Sequence, residues 1–197
     1  MSSPDEDVRR FARSCVRAGL QSAEEMHAEV VKAITTDLPE RAGEAESLAT
    51  TWLAEAHDEL REDQRDWPES TDYERLQSAF AELEMVDVSV VQGCQDEGAA
   101  RRLLAEATPG AVPAGVVWFT PSDVWRAVDE GKLQLHLRRG EGADEAASAE
   151  AADQAAADGT DGLVADVLGV LEKHGLRGRS DGDSIEVDAL WQKPMAS

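Results

Sequence analysis

The stretch Gly115-Val-Val-Trp-Phe-Thr-Pro-Ser-Asp-Val-Trp-Arg-Ala-Val128 does most to limit what this chain can fold into. Val116, Val117, Trp118 and Phe119 are apolar at consecutive positions, so their strand must be covered on both faces and lie inside a sheet. Thr120 is a natural N-cap, Pro121 stands at the first helical position, and Asp123 is placed to return a carboxylate to the cap. Val124, Trp125 and Val128 are expected to face inward, with Gly131 ending the helix. Lys132 to Arg138 then alternates. Leu133, Leu135 and Leu137 take one face, and Lys132, Gln134, His136 and Arg138 the other. The connection from Thr120 to Gly131 is short for a parallel crossover, which favours an antiparallel return.

Around this centre the pattern continues. Thr71-Asp-Tyr-Glu74 is a capping box that opens a helix with the stripe Tyr73, Leu76, Phe80 and Leu83. Val86 to Val90 alternates as a half-exposed strand, and a helix carrying Ala99, Ala100, Leu103 and Leu104 follows. Pro109, Gly110, Pro113 and Gly115 mark a loop. Between 140 and 160 the sequence holds no large apolar residue and reads as a low-complexity acidic insertion, a mobile loop or a frayed helix. A helix on Leu163, Val164, Val167, Leu168 and Leu171 follows, then a turn at Asp181-Gly-Asp183. The last strand is Ser184 to Trp191, with Ile185, Val187, Ala189 and Trp191 on one face.

The N-terminal part is helical throughout. Val8, Phe11 and Cys15 recur at helical spacing; Ser22 and Glu25 form a capping box; Met26, Val30, Ile34 and Leu38 make a second stripe, stopped by Pro39. A third helix is expected from near Glu40 to Asp66. Its apolar face is Leu48, Trp52, Leu53, Ala56 and Leu60, and carboxylates such as Glu55, Asp58, Glu59 and Glu62 crowd the rest. The expected architecture is α+β. A helical region of about three helices over 1–68 packs on a domain at 69–197, with a mixed or antiparallel sheet of about four strands and flanking helices.

Charge constrains function more than composition does. A formal net charge of −22 over 197 residues repels phosphate backbones and anionic lipid heads, so nucleic-acid and membrane-surface binding are not expected. A basic protein partner is. Two cysteines, Cys15 and Cys94, make neither a disulfide framework nor a zinc site by themselves, and the acidic N-terminus lacks a secretory pattern. These features suit a cytoplasmic protein.

Chemical signatures are sparse. The chain has no phosphate-binding glycine loop, no nucleophile elbow and no His-Glu-x-x-His helix, so enzyme activity is not expected. His27 with Glu24 and His57 with Glu55 lack ligand spacing on one helix, so no metal site and no cofactor follow. Cys94 is flanked by Asp96 and Glu97, which oppose a thiolate. The candidate binding residues are Gln134, His136 and Arg138, which share a strand face, and Trp52 and Trp67 on the acidic helix; Trp118 and Trp125 read as core. The leading expectation is a non-catalytic protein-binding module, for instance immunity- or antitoxin-like. The rival is a small-molecule site or weakly signed enzyme on the face of Gln134, His136 and Arg138, with Glu186 or Asp188.

The C-terminal part resembles an uncharacterised bacterial domain family of unknown function over about Leu76 to Trp191. The resemblance is carried by the Leu76–Phe80–Leu83 helix, the Gly115–Phe119 strand and Asp123-Val-Trp-Arg-Ala-Val128. Gly131 with Leu133 and Leu135, and Gly175-Leu176 before the strand ending at Trp191, complete it. Members of that family often carry a Cys-Cys-x-x-Cys-Gly pattern after the first strand. This chain has Gly93-Cys-Gln-Asp-Glu-Gly98 there. The resemblance implies a fold and no activity.

Overall fold

Ser3 begins the first helix, α1 (Pro4–Ala18), by accepting a hydrogen bond from the Glu6 N–H at 3.3 Å, and Gly19 ends it in the left-handed region at φ 57°. Ser22 and Glu25 close a reciprocal capping box on α2 (Ala23–Asp37), as their spacing predicts. The expected third helix is divided. Pro39–Glu44 is a 3₁₀ segment, α3 runs Ala45–Asp63, and Gln64–Asp66 is 3₁₀ again. Pro39 has no N–H to give and Gly43 is a poor helix former, so the chain tightens before α3 begins.

The computed structural model describes residues 3–107, 113–139 and 149–195, with only the backbone at 149–160. By contact the chain divides into two compact units, Met1–Ser70 with Trp191–Ser197, and Thr71–Leu190.

The helical unit holds its own core. Val8, Ala12 and Cys15 of α1, Val30 and Ile34 of α2, and Ala49, Trp52 and Ala56 of α3 are all buried within it. The C-terminal tail belongs here too: the indole Nε1 of buried Trp191 donates to the Ala18 carbonyl at 3.0 Å, and Lys193 Nζ donates to the Gly19 carbonyl at 2.7 Å. The expected strand through Trp191 therefore stops at Asp188. Tryptophan here continues the apolar alternation while its N–H serves a helix end.

The second unit is α/β in sequence and mixed in its sheet. Its elements are α4 (Asp72–Met85), β1 (Val88–Gln92), α5 (Glu97–Ala107), β2 (Gly115–Phe119), α6 (Pro121–Glu130), β3 (Lys132–Arg139), α7 (Ala149–Lys173), β4 (Arg177–Asp181) and β5 (Ser184–Asp188). The five strands stand in the order β1-β2-β3-β5-β4. β1 and β2 are parallel, as the intervening α5 allows; β2–β3, β3–β5 and β4–β5 are antiparallel. The α+β class and the mixed sheet match expectation, with one more strand than expected. β4 reads Arg-Gly-Arg-Ser-Asp and is exposed along its whole length, so it carries no apolar alternation; the expected turn at Asp181–Asp183 links it to β5.

β2 lies inside the sheet and is covered on both faces. Phe119 stacks with Phe80 of α4 on one side, and Trp118 clusters with Cys94 and Ala100 on the other. On the first side Gly115 lies so close to α7 that a β-carbon there would stand 2.6 Å from Leu163 Cδ1. Thr120 and Asp123 close the expected capping box on α6, and Gly131 ends that helix at φ 69°. Trp125 corrects the expected inward set. It is 37% exposed, and the small Ala127 is buried beside Val124 instead. The last part of the acidic insertion, from Ala149, is helical backbone in α7, and 140–148 lies outside the described residues.

Candidate functional site

The alternation of β3 places Lys132, Gln134, His136 and Arg138 on one face, and each is matched to a neighbour. Arg126 of α6 reaches down with three donors, to Glu130 Oε2 (3.2 Å), Gln134 Oε1 (3.3 Å) and Glu186 Oε2 (2.6 Å). Lys132 Nζ donates to the other oxygen of Glu186 at 2.7 Å, and Gln134 Nε2 to Ser184 Oγ at 2.6 Å. Lys132 and Arg126 hold the Glu186 carboxyl below its ordinary value of 4.5, and the Glu130 and Glu186 carboxylates raise the guanidinium of Arg126. Arg138 pairs with Glu97. Asp188, the remaining residue of the expected small-molecule face, is exposed at the end of β5.

His136 lies against the indole of Trp118, ring centroids 5.5 Å apart, and its Nε2 is 3.3 Å from Asp123 Oδ2. That same oxygen accepts from the Thr120 N–H and hydroxyl. The helix-capping carboxylate thus also anchors the histidine. A histidine oriented by a carboxylate is half of a nucleophile-activating arrangement. The cysteine near this face does not complete it. Cys94 is buried, its thiol points at the Phe119 carbonyl (3.9 Å), and burial, followed by the Asp96 and Asp123 charges, pushes its pKa up. A catalytic thiol needs the opposite shift.

The two tryptophans of the acidic helix have different positions. Trp52 is 2% exposed and forms part of the helical core, with the guanidinium groups of Arg9 and Arg41 over its ring at 5.1 and 5.9 Å. Trp67 is half-buried and packs against the same core. Neither stands out as an exposed anchor.

The acidic face of α3 is partly neutralised from α1. Arg9 pairs with Glu55, Arg13 with Glu59 and Arg17 with Asp63, one helical turn per step. Partners 46 residues apart at successive steps show that the two helices run in the same direction. His27 of α2 is tied to α3 through the Glu46 carbonyl and Thr50 Oγ1, so His27 and Glu55 both have structural partners. Among the described residues no group of three or more His, Cys, Asp or Glu is placed to hold a metal ion. Carboxylates elsewhere on this unit stay open: Glu24, Glu29, Glu40, Glu62, Asp66 and Glu69 are exposed and form no ion pair among the described residues.

One feature of the helical unit has no counterpart in the sequence reading. The ends of α1 and α3, the start of α2 and the tail enclose a cleft of about 960 Å³. Its lining is apolar at Val16, Met26 and Leu60, with His57, Gln64 and Lys193 among the polar side chains. The Gln64 Nε2 atom is buried and has no hydrogen-bond partner. These residues come from four separate segments, so no local spacing announces them.

A family model described as a domain of unknown function, DUF6891, matches residues 2–195, and the chain belongs to that family. No curated protein and no solved structure matches the chain. No helix among the described residues is long and apolar enough to cross a membrane.

Proposed function

From a family membership that carries no activity, and from the distribution of charge, we propose that this protein is a non-catalytic binding module whose acidic helical unit engages a basic protein partner. The carrying observation is the set of exposed carboxylates without cationic partners, Glu24, Glu29, Glu40, Glu62, Asp66 and Glu69. Four arginines of this unit are committed elsewhere, Arg9, Arg13 and Arg17 to α3 and Arg41 to Asp5 at 2.6 Å, and exposed Arg65 is one cation among these carboxylates. Negative charge left open in this way speeds encounter with a positive surface and selects against acidic ones. An immunity- or antitoxin-like role, in which the module blocks a basic partner, is one form of this reading.

The sheet face supports an enzyme less well. Lys132, Gln134, His136 and Arg138 each have a protein partner, and the nearby thiol is held protonated. The test is affinity capture with the full chain from the native host at low salt. A basic partner that is released as the salt rises supports the reading. Recovery of no partner at low salt contradicts it.

A further inference from the structure

We propose that the cleft of the helical unit binds a small amphipathic carboxylate, a ligand with an apolar body and a single carboxylate head. This inference is independent of the protein-binding reading and stands on different atoms.

The cleft's size of about 960 Å³ suits a small molecule, since ligand sites are commonly a few hundred to ~1,000 Å³ and mostly apolar with a few placed polar groups. Its walls supply the apolar part through Val16 of α1, Met26 of α2, Ala54 and Leu60 of α3, and Pro194 and Met195 of the tail. Such walls recognise hydrocarbon by area and shape.

The polar groups define the head. Gln64 lines the cleft, and its amide Nε2, buried without a hydrogen-bond partner, gains one only when the side chain turns toward a ligand there. Three basic side chains also line it. Arg17 is paired with Asp63, and Arg61 with Asp58 at 2.6 Å. Lys193 is the exception: its ammonium meets the neutral Gly19 carbonyl and no carboxylate among the described residues. An ammonium carries three donors, so hydrogen-bonding capacity remains after that contact. An unmatched amide donor and an unmatched cation on one apolar cleft both call for an oxygen acceptor, and the cation favours a charged one.

The rest of the protein limits how much charge that head can carry. A chain of −22 repels anions at long range, and Asp58 also lines the cleft, so a multiply charged phosphate is disfavoured. A single carboxylate, desolvated against Lys193 and Gln64, costs least. A cationic head would leave both donors unmatched and place like charge against Lys193.

Isothermal titration of the full chain tests this, with decanoate as the probe and decanol and decyltrimethylammonium as chain-matched comparisons. The expected result is saturable binding of one decanoate per chain with a negative heat-capacity change, and clearly weaker binding of the other two. Lys193→Met keeps the apolar stem and should weaken decanoate by about tenfold, the loss of one charge-assisted contact, while the ligand-free variant stays folded with at most a small drop in melting temperature from the lost Gly19 contact. Ala54→Trp, at an exposed position on the cleft wall, should abolish binding by filling the space. Absence of saturable decanoate binding overturns the proposal. So does equal binding of decanol or of the ammonium compound, or undiminished binding by the Ala54→Trp variant.

Discussion

In the helical unit the ion pairs form a ladder across two parallel helices, every partner on it between about a third and a half exposed; in the α/β unit the polar contacts converge on single carboxylates between α6 and the sheet. Glu186 receives both Arg126 and Lys132 with its side chain 19% exposed, and Asp123 receives Thr120 and His136 at 16%. Glu55, Glu59 and Asp63 on the ladder are 46–50% exposed. Exposed pairs are screened by water and salt and contribute little, whereas a carboxylate covered by protein depends on its partners. The first arrangement can exchange its partners for an incoming protein at small cost. The second holds a sheet and a helix together and is poorly suited to exchange.

Four substitutions can break that contrast, in descending order of effect. Trp52→Ala removes a 2%-exposed side chain from the helical core together with two guanidinium contacts. It should cost about 3–5 kcal/mol in a denaturant titration followed by far-ultraviolet circular dichroism. Gly115→Ala forces the buried Leu163 to move and should cost about 1–3 kcal/mol by the same measurement. If Trp52→Ala proves mild, the helical unit does not rest on its apolar core.

Glu186→Gln comes next, and its effect depends on pH. The folded-state pKa of Glu186 lies below the ordinary 4.5, so its stabilising contribution is complete above that value and disappears as the pH falls through the depressed one. The variant should melt a few degrees below the parent at neutral pH, and the two should converge in acid. A constant difference across that range would show that the carboxylate charge is irrelevant. Glu59→Gln should have the smallest effect, at most about 0.5 kcal/mol, because its half-exposed rung to Arg13 at 4.0 Å contributes little and Arg13 keeps its closer pair with Glu6 at 2.5 Å. A loss well above that would mean that the ladder is structural and that α3 is not free to exchange partners.

The same contrast explains what could be read from the sequence. The boxes at Ser22, Thr71 and Thr120 were legible because both partners lie three residues apart. The inner position of β2 was legible because consecutive large apolar residues have no other place to go. β4 was not, since an exposed edge strand needs no apolar face, and Trp125 misled because size suggested burial where the helical phase put Ala127 inward. Among the candidate site residues, Gln134, His136 and Arg138 do share a face, yet their partners Arg126, Ser184, Asp123 and Glu97 arrive from other elements. The ladder and the cleft were invisible for a related reason. Each depends on how segments far apart in the chain are aligned, which no local pattern records.

On the proposed reading, the open carboxylates of the helical unit, and not the polar sheet face, meet a basic partner. Titration calorimetry with the captured partner decides it by comparing two variants of the full chain. One carries Glu24→Gln, Glu29→Gln, Glu62→Gln and Asp66→Asn; the other carries Gln134→Ala and His136→Ala. The prediction is that the first variant loses affinity and most of its salt dependence while the second binds like the parent. Loss of binding in the sheet-face variant, with the carboxylate variant unaffected, would contradict it.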